Sequence, residues 1–227
     1  LEALYCSYNK ISSIDLSNCV NLENLSCSYN KISSIDLSNC VNLEALYCSY
    51  NKISSIDLSK CVNLQVFHYS NNNISSIDLS NCVNLENLSC SNNNISSIDL
   101  SDCVNLRELV CRNNNISSID LSDCVNLKHL DCSDNNISKL TTHSNTNDII
   151  CYGNQITLFN FSKQSTYHNL ICNHLIISDE TTNLHKYLTK KYFNINETKD
   201  IKNVILEQYS NLSKEEIIIR LTLLNKN

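Results

Sequence analysis

The sequence is built on a 21-residue repeat, and this period constrains the fold more than any other feature. Residues 1–21 read LEALYCSYNKISSIDLSNCVN and residues 22–42 read LENLSCSYNKISSIDLSNCVN. Later copies occupy 43–63, 64–84, 85–105 and 106–126. A seventh copy begins at Leu127 and then diverges, and weaker copies surround Cys151 and Cys172. A regular period of this length is typical of solenoids, in which each unit contacts only its neighbours.

Within a unit, numbered 1 to 21, the consensus is L-x-x-L-x-C-x-x-N-x-I-x-x-I-D-L-S-x-C-V-N. Positions 4 and 6 are apolar between polar neighbours, which predicts one short strand with a single buried face. Positions 11, 14 and 16 supply further inward side chains. Because one unit cannot bury its own apolar face, we expect the units to stack and their strands to pair. With a single glycine and no proline, the turns must be made by Asn and Ser.

The ninth position of every complete unit is asparagine, whose side chain offers two donors and one acceptor. Stacked at the strand ends, these amides are expected to bond the backbone where it turns away from the sheet. A group repeated in every unit points to structure rather than catalysis. We call this set the Asn ladder: Asn9, Asn30, Asn51, Asn72, Asn93, Asn114 and Asn135.

The segment L-x-x-L-x-C-x-x-N-x-I resembles the leucine-rich-repeat signature, with Cys in place of the third Leu. Its 21-residue form with a repeated cysteine is similar to the cysteine-ladder repeats of internalin J-like bacterial surface proteins. The resemblance implies an α/β fold, a right-handed horseshoe-shaped solenoid with a parallel sheet on its concave face. It also implies a surface, secreted or host-directed location, although the residues themselves leave a cytoplasmic one open.

We predict two parts, a solenoid of about eight units over residues 1–177 and a helical C-terminal cap over 178–227. Helix-capping residues occur at Ser178 and Asn196, and Ser213-x-x-Glu216 forms a capping box before IIIRLTLL. Such helices would seal the open core and unpaired strand edge at the end of a solenoid. The chain starts at Leu1 and contains no methionine, which indicates a processed or truncated piece of a longer protein.

The 14 cysteines would ordinarily suggest disulfides or zinc, but they occupy only two positions of the repeat. Position 6 holds Cys6, Cys27, Cys48, Cys90, Cys111, Cys132, Cys151 and Cys172, and position 19 holds Cys19, Cys40, Cys61, Cys82, Cys103 and Cys124. Stacked neighbours lie about 4.8 Å apart, whereas disulfide Cβ atoms prefer about 3.8 Å. We therefore predict two columns of buried, reduced thiols. In the fourth unit Phe67 and Tyr69 replace Leu and Cys, which we expect to require a local bulge.

No metal or cofactor site is predicted. Aspartate recurs at position 15, where the alternatives are a calcium column and a carboxylate that bonds its own turn. We favour the turn, because no glycine-rich calcium loop is present. His168, Cys172 and His174 are zinc-type ligands, but their spacing matches no recognised finger and Cys172 fits its column.

The charge distribution bears on the partner. The net charge is −6, and residues 1–126 carry 13 acidic and 6 basic side chains. No basic patch is present to contact phosphates, so nucleic acid is not predicted as a partner. No run of 18 apolar residues is present, so no membrane span is predicted.

In a fold of this type, positions 3, 5, 7 and 8 face the concave side. Tyrosines fill positions 5 and 8 of the first units among Ser and Asn, a composition shared with antibody paratopes. Later units vary most at these positions and add charge. We predict these partner-binding residues: Tyr5, Tyr8, Tyr29, Tyr47, Tyr50, His68, Arg112 and His129. Passive copying of tyrosine by recent duplication is the alternative, and the sequence leaves both open.

The predicted function is a non-catalytic protein–protein interaction module, a binding scaffold or adhesin without catalytic residues. Two alternatives remain at this point. The chain is the recognition part of an effector or enzyme whose catalytic domain lies outside it, or it is an architectural protein of a larger assembly.

Overall fold

The protein is described here by a computed structural model, which covers residues 1–143, 145–156, 158–160, 169–172 and 219–222. The last three ranges are described by their backbone alone. Within all of them the chain forms strands and turns and no helix, so none of these segments is a membrane-spanning helix.

Ten strands form the main sheet, in the order β1-β2-β3-β4-β5-β6-β8-β10-β12-β13. They are β1 (Ala3–Tyr5), β2 (Asn24–Ser26), β3 (Ala45–Tyr47), β4 (Val66–His68), β5 (Asn87–Ser89), β6 (Glu108–Val110), β8 (His129–Asp131), β10 (Asp148–Ile150), β12 (Asn169–Cys172) and β13 (Ile219–Thr222). From β1 to β12 each strand is parallel to the next, with equivalent repeat positions opposite each other, such as Leu4 and Leu25. The predicted solenoid with a parallel sheet is thereby confirmed.

The strands of the main sheet keep their register where the repeat length changes. Asp131 in β8 pairs with Ile150 in β10, so the seventh unit is shorter than the 21-residue period. A second, three-stranded parallel sheet is built from the segments that follow position 12 in the last units. Its strands are β7 (Ser118–Leu121), β9 (Lys139–Thr142) and β11 (Leu158–Asn160), in the order β11-β9-β7.

The core is a set of columns running through the stacked units. Repeat positions 1, 4, 6, 11, 16 and 19 are buried from the second unit onward. The 12 cysteines from Cys6 to Cys132 are free thiols, and all of them but Cys6 and Cys19 are buried, as is Cys151. The predicted cysteine columns are therefore confirmed as part of the core.

The Asn ladder joins successive units. The Oδ1 of Asn93 accepts the N–H of Ile74 in the preceding unit at 3.0 Å. Its Nδ2 donates to the carbonyls of Tyr69 and Cys90, both at 3.1 Å. The same pattern recurs in the neighbouring units, so each amide satisfies buried backbone groups on two units at once.

The aspartates of position 15 close their own turns, as predicted. In each of six units Oδ1 accepts the N–H of the serine two residues later, for example Asp57 from Ser59 at 2.9 Å. This hydrogen bond from the Ser59 N–H, followed by one from its hydroxyl, lowers the pKa of Asp57. The carboxylate is the better acceptor, which explains the direction of the shift.

The expectation of a bulge in the fourth unit is wrong. Strand β4 keeps its register with both β3 and β5. Phe67 and Tyr69 are fully buried, and their rings stack on each other with centroids 4.3 Å apart. Cys48 and Cys90, which occupy the same position as Tyr69 in the adjacent units, have small side chains. The two rings therefore fit inside the core without a change in the backbone of β4.

Removing the Tyr69 hydroxyl should cost no stability. This oxygen is buried without a nitrogen or oxygen partner, and the neighbouring Cys90 thiol is only a weak acceptor, so Tyr69→Phe is expected to leave the free energy of unfolding unchanged or to raise it by about 1 kcal/mol. Tyr69→Cys, which restores the repeat consensus, should lower it by about 2–4 kcal/mol, because a cavity replaces the ring. Urea unfolding of the three proteins measures both effects. A loss of more than about 1 kcal/mol in Tyr69→Phe would show a stabilising bond from the hydroxyl to the neighbouring Cys90 thiol.

The prediction of a helix after the Ser213 capping box is wrong at Ile219–Thr222. These residues form β13, which is antiparallel to β12. The exposed edge of β12 offers unpaired backbone groups, and the β-branched isoleucines of IIIRLTLL favour an extended chain over a helix. The helices predicted earlier in 178–227, and the boundary at 177, lie outside the described residues.

Candidate functional site

The outward side of the main sheet carries all eight predicted partner-binding residues. Side chains at positions 4 and 6 enter the core, so those at positions 3 and 5 point to the opposite side. We call the surface formed by positions 3, 5, 7 and 8 of the successive units the sheet face. It divides into an aromatic part in the first four units and a charged part in the last three described units.

Position 8 has a left-handed backbone in every described unit. The φ angles lie between 52° and 59° for its seven non-glycine residues: Tyr8, Tyr29, Tyr50, Asn71, Asn92, Asn113 and Asp134. Gly153 takes the place in the eighth unit, with φ 67°. The αL conformation ends each strand and turns the chain toward the Asn ladder. Asn, Asp and Gly adopt it readily, whereas a bulky side chain there is uncommon.

Three of these left-handed residues are tyrosines, and their rings form a continuous stack. The centroids of Tyr8 and Tyr29 lie 4.3 Å apart with the planes 9° from parallel. Those of Tyr29 and Tyr50 lie 4.2 Å apart with the planes 11° from parallel. We call these three residues the tyrosine stack. Partial desolvation, then the neighbouring hydroxyls of Tyr50 and Tyr8, raise the pKa of Tyr29, so its phenol remains protonated at neutral pH.

The tyrosine stack remains largely open to solvent. Tyr8 is 76% exposed, Tyr29 41% and Tyr50 46%. A left-handed backbone costs a residue with a Cβ roughly 1–2 kcal/mol, while a stacked pair of rings recovers about 0.5–1.5 kcal/mol. The stack therefore gives the isolated protein little or no net stability. Its edges and hydroxyls form a regular array that faces outward.

Position 5 forms a second row on the sheet face. Tyr5, Ser26, Tyr47 and His68 lie opposite one another on β1 to β4. Tyr5 is 75% exposed, whereas Tyr47 is half-buried and packs edge-on against His68 with centroids 5.1 Å apart. Burial lowers the pKa of His68, with Glu108 acting in the opposite direction, so this imidazole is neutral at pH 7.

Serines of position 7 lie between the two aromatic rows. The hydroxyl of Ser7 lies 2.9 Å from that of Ser26, and the same contact joins Ser70 and Ser89. Each of these hydrogen bonds joins a serine of position 7 to a serine of position 5 in the next unit. We call the two tyrosine-containing rows, at positions 5 and 8 of the first four units, together with the serines between them, the aromatic trough.

The charged part of the sheet face begins at β6. Nδ1 of His129 lies 2.7 Å from Oδ2 of Asp148, which forms an ion pair when the imidazole is protonated. Glu108 neighbours His129 in the same row, and Asp131 accepts the Ser133 hydroxyl at 2.6 Å. Arg112 is exposed at position 7, so it shares this part with the carboxylates but lies apart from the tyrosines.

Sequence reasoning missed two features of this face. The 21-residue period does not align Asp148 with His129, because the seventh unit is shorter; an offset of 19 residues does align them. The left-handed backbone at position 8 was missed as well. Its signal was the residue set of the later units, since Asn71, Asp134 and Gly153 all favour positive φ. Within the described residues no three His, Cys, Asp or Glu side chains are placed to hold a metal ion.

Comparison with known proteins identifies the repeat. The family model for leucine-rich repeats, in two copies, matches residues 1–39, 20–61, 62–102 and 104–145. These matches cover more than half of the chain. No curated protein sequence matches it.

Solved structures share the fold. InlJ from Listeria monocytogenes, whose functional domain includes a cysteine ladder, is 24% identical with a TM-score of 0.52, over 73% of this chain and 50% of that one. The internalin inlF from L. monocytogenes str. 4b F2365 is 24% identical with a TM-score of 0.63, over 72% and 57%. A chain of the LRIM1/APL1C complex is 20% identical with a TM-score of 0.64, over 77% and 36%. The protein thus spans about half the length of the internalin chains.

Proposed function

Because this chain belongs to the leucine-rich-repeat family, whose domains are in general protein-interaction modules, we propose that its sheet face binds a protein partner through the aromatic trough. The tyrosines provide large contact areas with few rotatable bonds, and the serines and asparagines provide hydrogen bonds. The charged part of the face then selects among partners by complementarity. The chain performs no reaction in this proposal, whether it acts alone or as the recognition part of a longer protein.

The observation that carries the proposal is tyrosine in a left-handed backbone in three successive units. Asn71, Asn92 and Asn113 occupy the same position in the following units at less backbone cost. Strained residues persist at binding sites more often than elsewhere. Passive duplication accounts for copying a tyrosine, but it supplies no reason to keep an unfavourable residue where asparagine serves the fold better.

The test replaces each tyrosine with the residue that other units carry at the same position. The variant combines Tyr5→Ser, Tyr8→Asn, Tyr29→Asn, Tyr47→Ser and Tyr50→Asn. Loss of stacking and relief of the left-handed backbone oppose each other, so stability should change by less than about 1 kcal/mol per stack site. We expect chemical cross-linking and pull-down from the native source to recover a partner with the parent protein and at least tenfold less with the variant.

The matched control changes five exposed valines outside the sheet face to serine: Val20, Val41, Val62, Val83 and Val104. It alters the same number of side chains and should recover the partner as the parent does. Equal recovery by parent and tyrosine variant, with unchanged thermal unfolding, would remove the aromatic trough from the function. If only the valine variant fails to recover the partner, the partner binds the surface that carries the valines.

A further inference from the structure

We propose that the sheet face takes an arginine side chain of its partner between Tyr5 and Tyr47, above Ser26, with a second basic residue of the partner at the charged part of the face. This inference rests on the proposed function and names the chemistry of the partner. Two independent observations lead to it, the spacing of aromatic rings along position 5 and the charge balance of the face.

The two aromatic rows differ in the residue that occupies their middle position. In the tyrosine stack, rings from three successive units fill the row, with Tyr29 between Tyr8 and Tyr50 at 4.3 and 4.2 Å. Two rings that lie two units apart therefore leave space for one further planar group between them. In the row at position 5 the outer rings, Tyr5 and Tyr47, are likewise two strands apart, at a backbone separation of about 9.6 Å.

The middle of this second row is a serine. Ser26 lies between Tyr5 and Tyr47 in strand register and is half-buried, with its hydroxyl held by Ser7 at 2.9 Å. We call this gap the Ser26 notch. His68 packs against Tyr47 from the neighbouring strand on the side away from the notch. The notch thus lies between Tyr5 and Tyr47 in strand register, with a hydroxyl at its base, and its backbone width of about 9.6 Å leaves room for one planar side chain.

Charge favours a guanidinium as the planar group. Aromatic faces are the negative side of the ring quadrupole, and a guanidinium stacks on them with cation–π attraction. On the sheet face of the first five units no lysine or arginine is present, and His68 is neutral at pH 7. The neutral Ser26 and Asn24 can accept its N–H groups.

The rest of the sheet face favours a basic partner as well. In its described residues four carboxylates stand against one arginine, Arg112, and one of the four already meets His129. The carboxylates are Glu108, Asp131, Asp134 and Asp148. The protein as a whole is also acidic, with a net charge of −6. A partner with a neutral aromatic side chain would fit the notch but would leave this second, acidic part without a counterpart.

The distance between the two parts sets the spacing in the partner. Glu108 lies four strands from Ser26 in the main sheet, a span of about 19 Å. An extended peptide rises about 3.3 Å per residue, so about six residues bridge the span. The partner segment is therefore an extended chain with an arginine and a second basic residue about six positions apart.

The experiment uses the purified full chain and end-blocked, fluorescein-labelled heptapeptides with glycine and serine between two variable ends. The ends are both arginine, both lysine, both citrulline or both phenylalanine, and anisotropy gives the dissociation constants at low salt. We expect the arginine peptide to bind about 5- to 30-fold more tightly than the citrulline peptide, and also more tightly than the lysine peptide. Equal binding of arginine and lysine, tighter binding of phenylalanine, or no binding at all would overturn the proposal.

Variants of the protein test whether the arginine of the peptide binds at the Ser26 notch. Ser26→Tyr fills the notch and should abolish the preference for arginine over lysine, and Tyr5→Ser removes one wall with the same result. Ser54→Tyr adds a ring at an exposed site outside the sheet face and should change nothing. Glu108→Gln should weaken the two-arginine peptide but leave a peptide with one arginine unaffected. Unchanged arginine preference in Ser26→Tyr would also overturn the proposal.

Failure of this inference and failure of the proposed function are distinguishable. If the five-tyrosine variant loses the native partner while the parent shows no preference for arginine peptides, the sheet face binds protein but the Ser26 notch does not take arginine. If the arginine preference is found and is lost in Ser26→Tyr, the notch is supported even where the pull-down attributes no partner to the tyrosines.

Discussion

Raising the pH from 9 to 11 is expected to unfold the solenoid reversibly. The reason lies in the buried cysteine columns. Burial raises the pKa of six of their thiols to about 12, from an ordinary value of 9.0: Cys27, Cys61, Cys82, Cys90, Cys103 and Cys124. Burial also raises the pKa of Cys48 and Cys111 well above the ordinary value.

The direction of the effect follows from proton binding. Between pH 9 and 12 these thiols keep their protons in the folded protein, whereas those of the unfolded chain ionise. The folded state then holds more protons, so its stability is complete below pH 9 and falls as the pH rises. Each thiol contributes a loss of about 1.4 kcal/mol per pH unit, and six together contribute about 8 kcal/mol by pH 10. That loss is comparable with the whole stability of an ordinary domain, about 5–15 kcal/mol.

Far-UV circular dichroism across pH 8–12 in the presence of a reductant measures this transition, and return to pH 8 should restore the signal. The control compares slopes rather than midpoints. Urea unfolding of Cys103→Ala should give a stability that falls less steeply with pH above 9, by about 1.4 kcal/mol per unit, whatever the variant loses at pH 7. A parent protein whose stability is flat from pH 9 to 11 would contradict buried, protonated thiols.

Replacing one member of the Asn ladder in the middle of the solenoid should be among the most damaging single changes outside the apolar core. Asn93→Ala removes the acceptor of the Ile74 N–H and the donor to the carbonyls of Tyr69 and Cys90. Asn93 is buried, so water cannot replace these partners freely. Two or three unsatisfied backbone groups at about 1–3 kcal/mol each predict a loss of about 3–6 kcal/mol in the free energy of unfolding.

The adjacent residue provides the control. Asn94 is exposed and makes no side-chain hydrogen bond within the described residues, so Asn94→Ala should change stability by less than about 0.5 kcal/mol. Asn105 makes one exposed bond, to the carbonyl of Val83 at 3.0 Å, and Asn105→Ala should cost about 1 kcal/mol. Asn93→Asp keeps the shape but turns a carboxylate toward two carbonyls, so it should be at least as damaging as alanine. A loss below 1 kcal/mol in Asn93→Ala would show that the ladder is not a source of stability.

The sequence predicts a structural feature reliably when the same residue recurs at the same position of every unit. The columns of Leu, Cys and Asn recur in every unit, so their alignment alone predicts stacking, register and burial. The structural effect of a residue that differs from the consensus in only one unit is harder to predict. The bulge expected at Phe67 and Tyr69 does not form, because the space that the two rings fill together depends on the side chains of both adjacent units. The capping box at Ser213 predicted a helix, yet Ile219–Thr222 adds to the edge of β12, a long-range contact that local pattern cannot register.

For the sheet face, the sequence determined which residues point outward, because strand alternation and the period decide that without knowledge of distances. Only the tertiary structure decided that Tyr8, Tyr29 and Tyr50 form one stack on a left-handed backbone, and that Asp148 meets His129. The physical reason is that side-chain alternation is a local property of one strand. Ring spacing, ion pairing and positive φ depend on how closely neighbouring units pack and on where each unit ends.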